Sequence, residues 1–378
     1  MTDFFSRFRV EVGECHPTAI NNAGDIYQDG TTPLWRDTDG ALWGMSGHSH
    51  MGHIAMLRGR CLEDLQEVYP IQTQFAVGKA GDAFDGVRYP EGILPRGSIW
   101  PFGLYICPVT HRFFCFFHNE TAWNGHGTGY DAWGLCETPK LDTDFRHIGL
   151  MHSDDEGRHW QFDRWVLTGE TVGFTEKYNP NGDGTIGQPT GVIRLGSGDF
   201  SLFADEEFLY LFYNVLRVDM TAECWHGGDV FVARTRRRTD GVMGDFVKYY
   251  EGAFCEAGNL GKETPIATDS WHPRVVYLKN HHRYLMSSCA LRAGAKHGVV
   301  EDVIQLRVSD DLLHWSEPIR VTKDGRPFGN HYCAVIPKGS ELSPFVCDDR
   351  FYFCLNHNGT DVLAWDAELV ESEKDYIS

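Results

Sequence analysis

One recurring pattern constrains the fold of this chain more than any single motif. It consists of an acid, a short apolar strand, an acidic turn, and an aromatic-rich strand that ends on a polar residue. The clearest copy runs from Asp199 to Asn214. Further copies occur along the chain, beginning at Asp29, Phe102, Asp269 and Glu341. Such repetition indicates a fold built from similar β units, because each unit buries its apolar face against the next.

The spacing of these copies predicts the number of units. Their first strands lie about 70 to 100 residues apart, which suits a four-stranded blade. The anchor residues of these strands are Pro33, Leu104, Phe200, Pro273 and Pro344. No segment predicts a long helix. We therefore expect an all-β chain, with residues 1–378 forming a single five-bladed β-propeller domain. The blades are predicted at about 30–75, 100–170, 190–252, 265–322 and 330–370.

The N-terminal strand is expected to close the ring. Residues 6–12 alternate polar and apolar side chains, which predicts a half-buried strand with no partner nearby in the sequence. The last unit lacks an obvious fourth strand. We expect the N-terminal strand to complete that blade.

Composition excludes several classes of function. The net charge of −19 argues against a nucleic-acid partner, which needs a basic surface. No apolar run approaches the roughly 18 residues that span a membrane. The N-terminus has no apolar signal core, and the 11 Cys form no Cys-x-x-Cys pair, so we expect a cytoplasmic protein with reduced thiols. A secreted or periplasmic protein whose leader had been removed would show the same N-terminus.

Propeller geometry predicts where the chemistry lies. Residues just before the first strand of a blade and just after its second strand meet at the mouth of the central channel. The acids that precede first strands are the catalytic candidates, namely Asp29, Asp199, Asp269 and Glu341. Polar and aromatic residues near the same mouth are the candidates for substrate binding, namely His50, His118, Glu120, Trp123, Arg217, His272 and His357.

Several carboxylates around one pocket suit glycoside hydrolysis. One acid protonates the leaving oxygen, a second activates water or attacks the sugar carbon, and a third raises the pKa of the acid by repulsion. Aromatic residues at the rim suit the apolar face of a sugar. The structural alternative for any single acid is that it caps a turn before a strand.

The histidines allow a metal site but do not require one. The chain has 18 His, and His48 and His50 share one face if the segment is extended. With His118, His272, His331 and His357 they could ring a metal ion, and a calcium ion in the central channel is the other possibility. No close-spaced metal signature supports this, so we expect neither a cofactor nor a metal. Hydrogen bonds to sugar hydroxyls, or a His as general acid, are favoured instead.

Two motifs carry a resemblance to known families. Ser153–Trp160 resembles the Asp-box turn of sialidase-like propellers, and Ser309–Trp315 resembles its variant in glycosidase propellers. The Asp199 pattern, the Asp29 copy with its Asp-Thr-Asp-Gly turn, and Ser309–Trp315 resemble the five-bladed propeller glycosidases, which include arabinanases, xylosidases, fructosidases and agaro-oligosaccharide hydrolases. The resemblance implies that Asp29 is the base or nucleophile. Two further acids would come from later blades. Asp199 matches best, and the candidates for the other are Asp269, Glu341, Glu120 and Glu223.

The function predicted from the sequence is therefore a glycoside hydrolase, exo-acting on oligosaccharides and serving polysaccharide degradation. Three alternatives stay open. A polysaccharide or oligosaccharide lyase would use His, Tyr and Arg to abstract a proton. A glycoside phosphorylase would need a basic phosphate site, to which Arg194, Arg217, Arg274 and Arg292 are candidate contributors. A non-catalytic carbohydrate-binding propeller would bind without turnover.

Overall fold

The described part of the chain is built almost entirely from β-strands. The structure is a computed structural model, and it describes residues 4–18, 20, 32–48, 54–73, 98–120, 146–169, 191–219, 221–222, 224–225, 228–291, 300–330, 332–339, 343–357 and 361–372. Within these ranges the helices are α1 (Phe4–Arg7) and a 3₁₀ turn (Leu62–Asp64). No helix of the described residues is long and apolar enough to cross a membrane.

Unit one is an antiparallel sheet in which neighbouring strands also follow one another along the chain. Its strands are β2 (Leu34–Arg36), β3 (Leu42–Ser46), β4 (Ala55–Gly59) and β5 (Gln66–Pro70). The turn between β2 and β3 forms as predicted, because the Asp39 carboxylate accepts the Ala41 amide at 2.8 Å and Gly40 takes a φ of 86°. This left-handed conformation favours glycine.

Unit two follows with the same order and carries an Asp-box turn. Its strands are β7 (Ser98–Ile106), β8 (Phe113–Glu120), β9 (Arg146–Ser153) and β10 (His159–Thr168), and β6 (Gln72–Thr73) pairs with β10. The turn joins β9 to β10. The Ser153 hydroxyl accepts the Gly157 amide at 2.9 Å, and the Trp160 indole donates to the Gly157 carbonyl at 2.8 Å. This turn lies between the outer strands, as predicted.

Units three and four repeat the arrangement. Unit three contains β11 (Val192–Ala204), β12 (Phe208–Asp219), β14 (Asp229–Arg236), β15 (Val247–Tyr250) and β16 (Ala253–Ala257). Two short strands are added to it: β13 (Cys224–Trp225) pairs with β12, and β17 (Ala267–Thr268) pairs with β14. Unit four contains β18 (Trp271–Leu278), β19 (Arg283–Leu291), β20 (Val300–Ser309) and β21 (Ile319–Arg320). A small hairpin follows, of β22 (Thr322–Lys323) and β23 (Arg326–Pro327).

Unit five includes the N-terminal strand. Its strands are β24 (Cys333–Pro337), β26 (Arg350–His357), β27 (Asp361–Glu371) and β1 (Phe8–Pro17). The strand β1 is antiparallel to β27, from the pair Phe8–Glu371 to the pair Pro17–Leu363. The predicted strand 6–12 therefore pairs with the last unit, although it starts two residues later and runs longer than predicted.

The first strand of unit five is not the one that the sequence predicted. The prediction placed it near 344–347, whereas the first strand of this sheet is β24, all five of whose residues are buried. The segment β25 (Val346–Cys347) instead pairs in parallel with β18 of unit four. The repeat pattern did not identify β24 because Cys333–Pro337 is a short apolar run without an acidic turn after it. Glu341 thus follows the first strand in the chain, and it lies outside the described residues.

Successive units pack against one another. First strands contact each other in the pairs β2–β7, β7–β11, β11–β18 and β18–β24. Units five and one share a buried cluster that includes Tyr352 and Leu57, and the Tyr352 hydroxyl donates to Glu63. Aromatic rings meet in the interior, where Phe345 lies 5.8 Å from Trp35 and 5.7 Å from Phe203 between ring centroids.

Candidate active site

Buried charged and polar side chains gather where units two, three and four meet. His118 and Glu120 end β8 and share one face of it, because they are two residues apart. Arg146 starts β9 directly opposite Glu120. Asp199 lies on β11 and His272 near the start of β18. All five side chains are buried, so their charges have to be satisfied by one another and by neighbouring groups.

Arg146 bridges the two carboxylates of this cluster. Its Nη2 lies 3.0 Å from Glu120 Oε1, and its Nη1 donates to Asp199 Oδ2. A guanidinium that binds a carboxylate favours the ionised form of that carboxylate. Arg146 therefore favours the ionised form of both acids, in which they can accept a proton or stabilise positive charge.

Hydrogen bonds determine the tautomer of His118. The Asp199 amide donates to His118 Nδ1 at 3.1 Å, so in the neutral ring the proton is on Nε2. Nε2 then donates to Glu120 Oε1 at 3.0 Å. The ring stacks on Phe102, with centroids 5.4 Å apart. His118 thus connects the backbone of Asp199 to the carboxylate of Glu120 and holds both in place.

Glycines allow β11 to approach β8 and β9 this closely. A Cβ on Gly198 would overlap the His118 ring, and a Cβ on Gly196 would overlap the Arg146 carbonyl. Gly196 has a φ of 98° and pairs with Arg146 across the boundary between the two units. The strand is irregular here, with a register shift between Gly198 and Ser201 that turns Asp199 toward Arg146.

His272 is oriented by an asparagine of unit three. The amide oxygen of Asn214 accepts the His272 backbone N–H at 2.9 Å, and its Nδ2 donates to the Asp229 and Ser270 carbonyls at 2.8 and 2.9 Å. The Nδ1 of His272 lies 3.7 Å from Asp199 Oδ1. The Tyr332 ring is 4.3 Å from the imidazole between centroids.

Left-handed backbone marks the same positions in three units. Asp199, His272 and Tyr332 have φ values of 45°, 54° and 59°. Each lies in or next to a first strand, near the end where the cluster lies. Non-glycine residues in this region cost about 1 kcal/mol or more, and such strain concentrates at functional sites. Left-handed backbone also occurs at other described residues, for example His111 and Leu312, so it accompanies the cluster but does not by itself identify it.

A buried histidine borders the cluster. His147 follows Arg146 on β9, and burial, together with the neighbouring His118, lowers its pKa to about 3. Its ring lies 5.5 Å from that of Trp165 between centroids. His147 is thus neutral at ordinary pH and contributes no positive charge to the site.

The structure brings four of the predicted residues together and separates two others from them. His118, Glu120, Asp199 and His272 form the cluster. Asp269 is exposed, and Arg217 donates to Asp229 on β14; among the described residues neither has a contact with the cluster. His357 ends β26 opposite Asp361. The remaining predicted residues lie outside the described ranges, namely Asp29, Glu223, Glu341, His50, His331 and Trp123.

Sequence reasoning missed Arg146, Tyr332 and Trp271. Arg146 starts a third strand, and third strands begin at the same end where second strands finish. The prediction considered only residues beside first and second strands. It therefore did not consider Arg146, although this charged residue lies just before the apolar run 148–151. Tyr332 was missed because the first strand of unit five was misplaced. Trp271 lies 5.9 Å from the Arg146 guanidinium and helps to position it.

The cluster also offers ligands of a kind that bind divalent cations. Donor atoms of His118, Glu120 and Asp199 lie within 4.8 Å of one another. However, Arg146 already binds both carboxylates, so a cation there would face a guanidinium at close range. The donor set fits a metal only if Arg146 moves away.

Comparisons with known proteins identify the fold. No protein-family model matches the chain, and no curated sequence matches it. Among solved structures, a family 117 glycoside hydrolase, Zg3597 from Zobellia galactanivorans, is similar with a TM-score of 0.51 and 9% identity, covering 96% of this chain and 90% of that one. A complex of BT0996 with RGII is similar with a TM-score of 0.50 and 13% identity, covering 95% and 92%.

A third similar structure is an α-L-arabinofuranosidase from Lactobacillus brevis, with a TM-score of 0.46, 11% identity and 94% of each chain covered. At these identities the likeness concerns the fold and not the reaction. The chain therefore has the β-propeller type of fold that is found among glycoside hydrolases.

Proposed function

We propose that this protein is a glycoside hydrolase that acts on oligosaccharides, exo-acting and within polysaccharide degradation. The observation that carries the proposal is the buried pair of carboxylates, Glu120 and Asp199, which Arg146 bridges at one end of a propeller-type fold. Glycoside hydrolysis passes through a positively charged, oxocarbenium-like state, which anions held close to the sugar stabilise. The fold likeness to a family 117 glycoside hydrolase supports this reading.

The two bridged carboxylates would act as anions, not as proton donors. Asp199 is proposed to face the reacting sugar carbon as base, nucleophile or fixed charge, with Glu120 held beside it through His118. The leaving oxygen then needs a proton from another group. His272 is the candidate among the described residues, since its Nδ1 lies 3.7 Å from Asp199.

The other predicted acids keep their proposed roles. We propose Asp29 as base or nucleophile, as the family resemblance implies, with Glu341 and Asp269 as further candidate acids. His50, Trp123, Arg217 and His357 remain proposed sugar contacts. We also propose that catalysis needs no metal, because Arg146 supplies the positive charge that two adjacent carboxylates require.

We further propose that the chain forms one domain, a ring of five blades that β1 closes. The contacts between successive first strands support this ring, as does the packing of unit five on unit one. In a closed ring, the starts of the first strands surround a single mouth. The cluster would then lie at that mouth, where the predicted catalytic acids converge.

Product analysis tests the hydrolase proposal. The protein is incubated with aryl glycosides and with plant, algal and bacterial oligosaccharides, and reducing ends and ultraviolet absorbance are followed in parallel. We expect new reducing ends without absorbance, and unchanged rates after treatment with a chelator. The absence of turnover on every substrate would contradict the proposal and favour a binding protein.

The lyase is the second candidate, because the structure pairs His272 with Tyr332 near a buried arginine. A lyase abstracts a proton beside a uronic carboxylate, and His and Tyr can act as the base and acid of that step. Tyr332 and His272 are in ring contact at 4.3 Å. Products that absorb in the unsaturated-uronide band would establish this reaction in place of hydrolysis.

A further inference from the structure

A second buried charge, Arg274, lies on the same strand as His272 but outside the cluster. Its side chain is 1% exposed, and it is among the largest fully buried side chains in the described part of the chain. Arg274 is paired with Ser287 across β18 and β19, and the Phe345 ring lies 5.5 Å from its guanidinium carbon. The guanidinium therefore lies in the interior near the first strands, away from solvent.

No group among the described residues neutralises this charge. Nε and Nη2 of Arg274 are buried without a hydrogen-bond acceptor there, and no carboxylate of those residues forms an ion pair with it. The nearby Cys354 thiol cannot serve, because burial raises its pKa to about 12. Burial lowers the pKa of Arg274 only to about 10, so the guanidinium stays charged at neutral pH.

Other buried cations of the described residues show that this fold ordinarily satisfies such charges. Lys248 Nζ lies 2.8 Å from Glu263, and Arg146 binds two carboxylates. Arg307 donates to the Ser316 and Thr268 carbonyls at 2.8 and 2.7 Å. Arg274 differs from all three in having neither a carboxylate nor a carbonyl partner within the described ranges. Phe345 offers only the weak attraction of an aromatic ring.

We propose that Arg274 binds a small monovalent inorganic anion, chloride, inside the propeller. A single guanidinium charge calls for a single negative charge, and a divalent oxyanion would leave an excess. The side chain is too deeply buried for a sugar substrate to reach it. The site is therefore structural and does not depend on the proposed reaction. The anion would stabilise the protein because it binds the folded state and not the unfolded chain.

Thermal unfolding of the full chain tests this site. The melting temperature is measured in sodium gluconate and sodium chloride mixtures at constant ionic strength. We expect it to rise with chloride and to saturate, and bromide to act in the same way. In Arg274→Met the dependence on chloride should disappear, whereas Arg326→Met, which removes an exposed arginine, should retain it.

Crystals grown in bromide give a second readout that does not depend on a variant folding. An anomalous peak beside the Arg274 guanidinium supports the site. A wild-type melting temperature that is equal in gluconate and chloride, with no peak, would overturn it. A rise with inorganic phosphate but not with chloride would overturn the monovalent assignment.

Discussion

The charge of the candidate site depends on one guanidinium. Arg146 joins Glu120 to Asp199, and without it two buried carboxylates would repel each other at short range. Their protonation would then change, since like charges that share a site raise the pKa of one of them. Arg146, which the sequence analysis missed, thus influences the ionisation of Glu120 and Asp199, which it predicted.

Two substitutions of Arg146 separate the effect of its charge from the effect of its bridging geometry. We expect Arg146→Met to lower the free energy of unfolding by about 3 kcal/mol, since it leaves buried charges unpaired. Arg146→Lys keeps the charge but cannot bridge two carboxylates in the same way, so it should cost about 1 kcal/mol and still lower turnover. Urea unfolding and kcat are the measurements. Equal stability of both variants and the wild type would contradict the bridging role.

His147 gives the fold a dependence on pH. Its pKa is about 3 in the folded state because of burial and the neighbouring His118, against an ordinary value of 6.5. Between these values the unfolded chain binds a proton that the folded chain does not, so stability rises with pH across this interval. The slope is at most about 1.4 kcal/mol per pH unit.

His147→Phe should flatten this slope. Urea midpoints at pH 4.5, 5.5 and 7 would be compared for the wild type, His147→Phe and the control His282→Phe, in which an exposed histidine is removed. The control should keep the wild-type slope. An unchanged slope in His147→Phe would show that the buried ring does not titrate as expected.

At the scale of elements, the irregular part of β11 brings the site together. Gly196 and Gly198 let the strand touch Arg146 and His118, and the register shift that follows turns Asp199 inward. The hairpin pattern in the sequence predicted β11, β12 and the position of Asp199. It did not predict the contact between units, because that contact depends on the packing of residues far apart in the chain.

Gly198→Ala tests this close approach. The added methyl group would overlap the His118 ring, so we expect a loss of about 1–3 kcal/mol in stability and a marked loss of turnover. The matched control is Gly252→Ala, which has open space but a φ of 95°, and should cost about 1 kcal/mol without loss of turnover. Full activity in Gly198→Ala would show that His118 need not stay in place.

The strands of unit five and the surroundings of Asp269 also show which features the sequence could not predict. The acidic turns and Asp-box motifs are local signals, and they located most strands of units one to four. Unit five has a first strand, β24, that no such turn follows, so its position and that of Tyr332 were missed. Asp269 precedes a first strand as predicted, but its side chain is exposed and follows β17, which pairs with unit three.

At the scale of the whole molecule, the two ends of the chain meet in one sheet. The strand β1 covers the outer edge of β27, and Lys323 donates to the Val12 carbonyl at 3.0 Å. Phe4 and Phe8 pack against His281 of unit four. The N-terminal segment thus completes the sheet of unit five and holds it to unit four, as the proposed closure by β1 requires.

Removing the N-terminal segment tests that dependence. Deletion of residues 1–17 exposes the edge of β27 and the apolar surface under Phe4 and Phe8, so we expect a much lower melting temperature and a tendency to aggregate. Deletion of residues 373–378, which follow β27, is the control and should leave the melting temperature within about 2 °C of the wild type. An unchanged melting temperature after the first deletion would contradict closure by β1.

The central claim is that Asp199 acts as a carboxylate in glycoside hydrolysis, and its substitution tests this most directly. On a substrate found by the product screen, kcat would be measured for the wild type, Asp199→Asn and Asp245→Asn, the last removing an exposed acid. We predict that Asp199→Asn lowers kcat by about 1000-fold or more, with an unchanged fold, and that Asp245→Asn keeps the wild-type rate. A kcat for Asp199→Asn within a few-fold of the wild type would contradict the account.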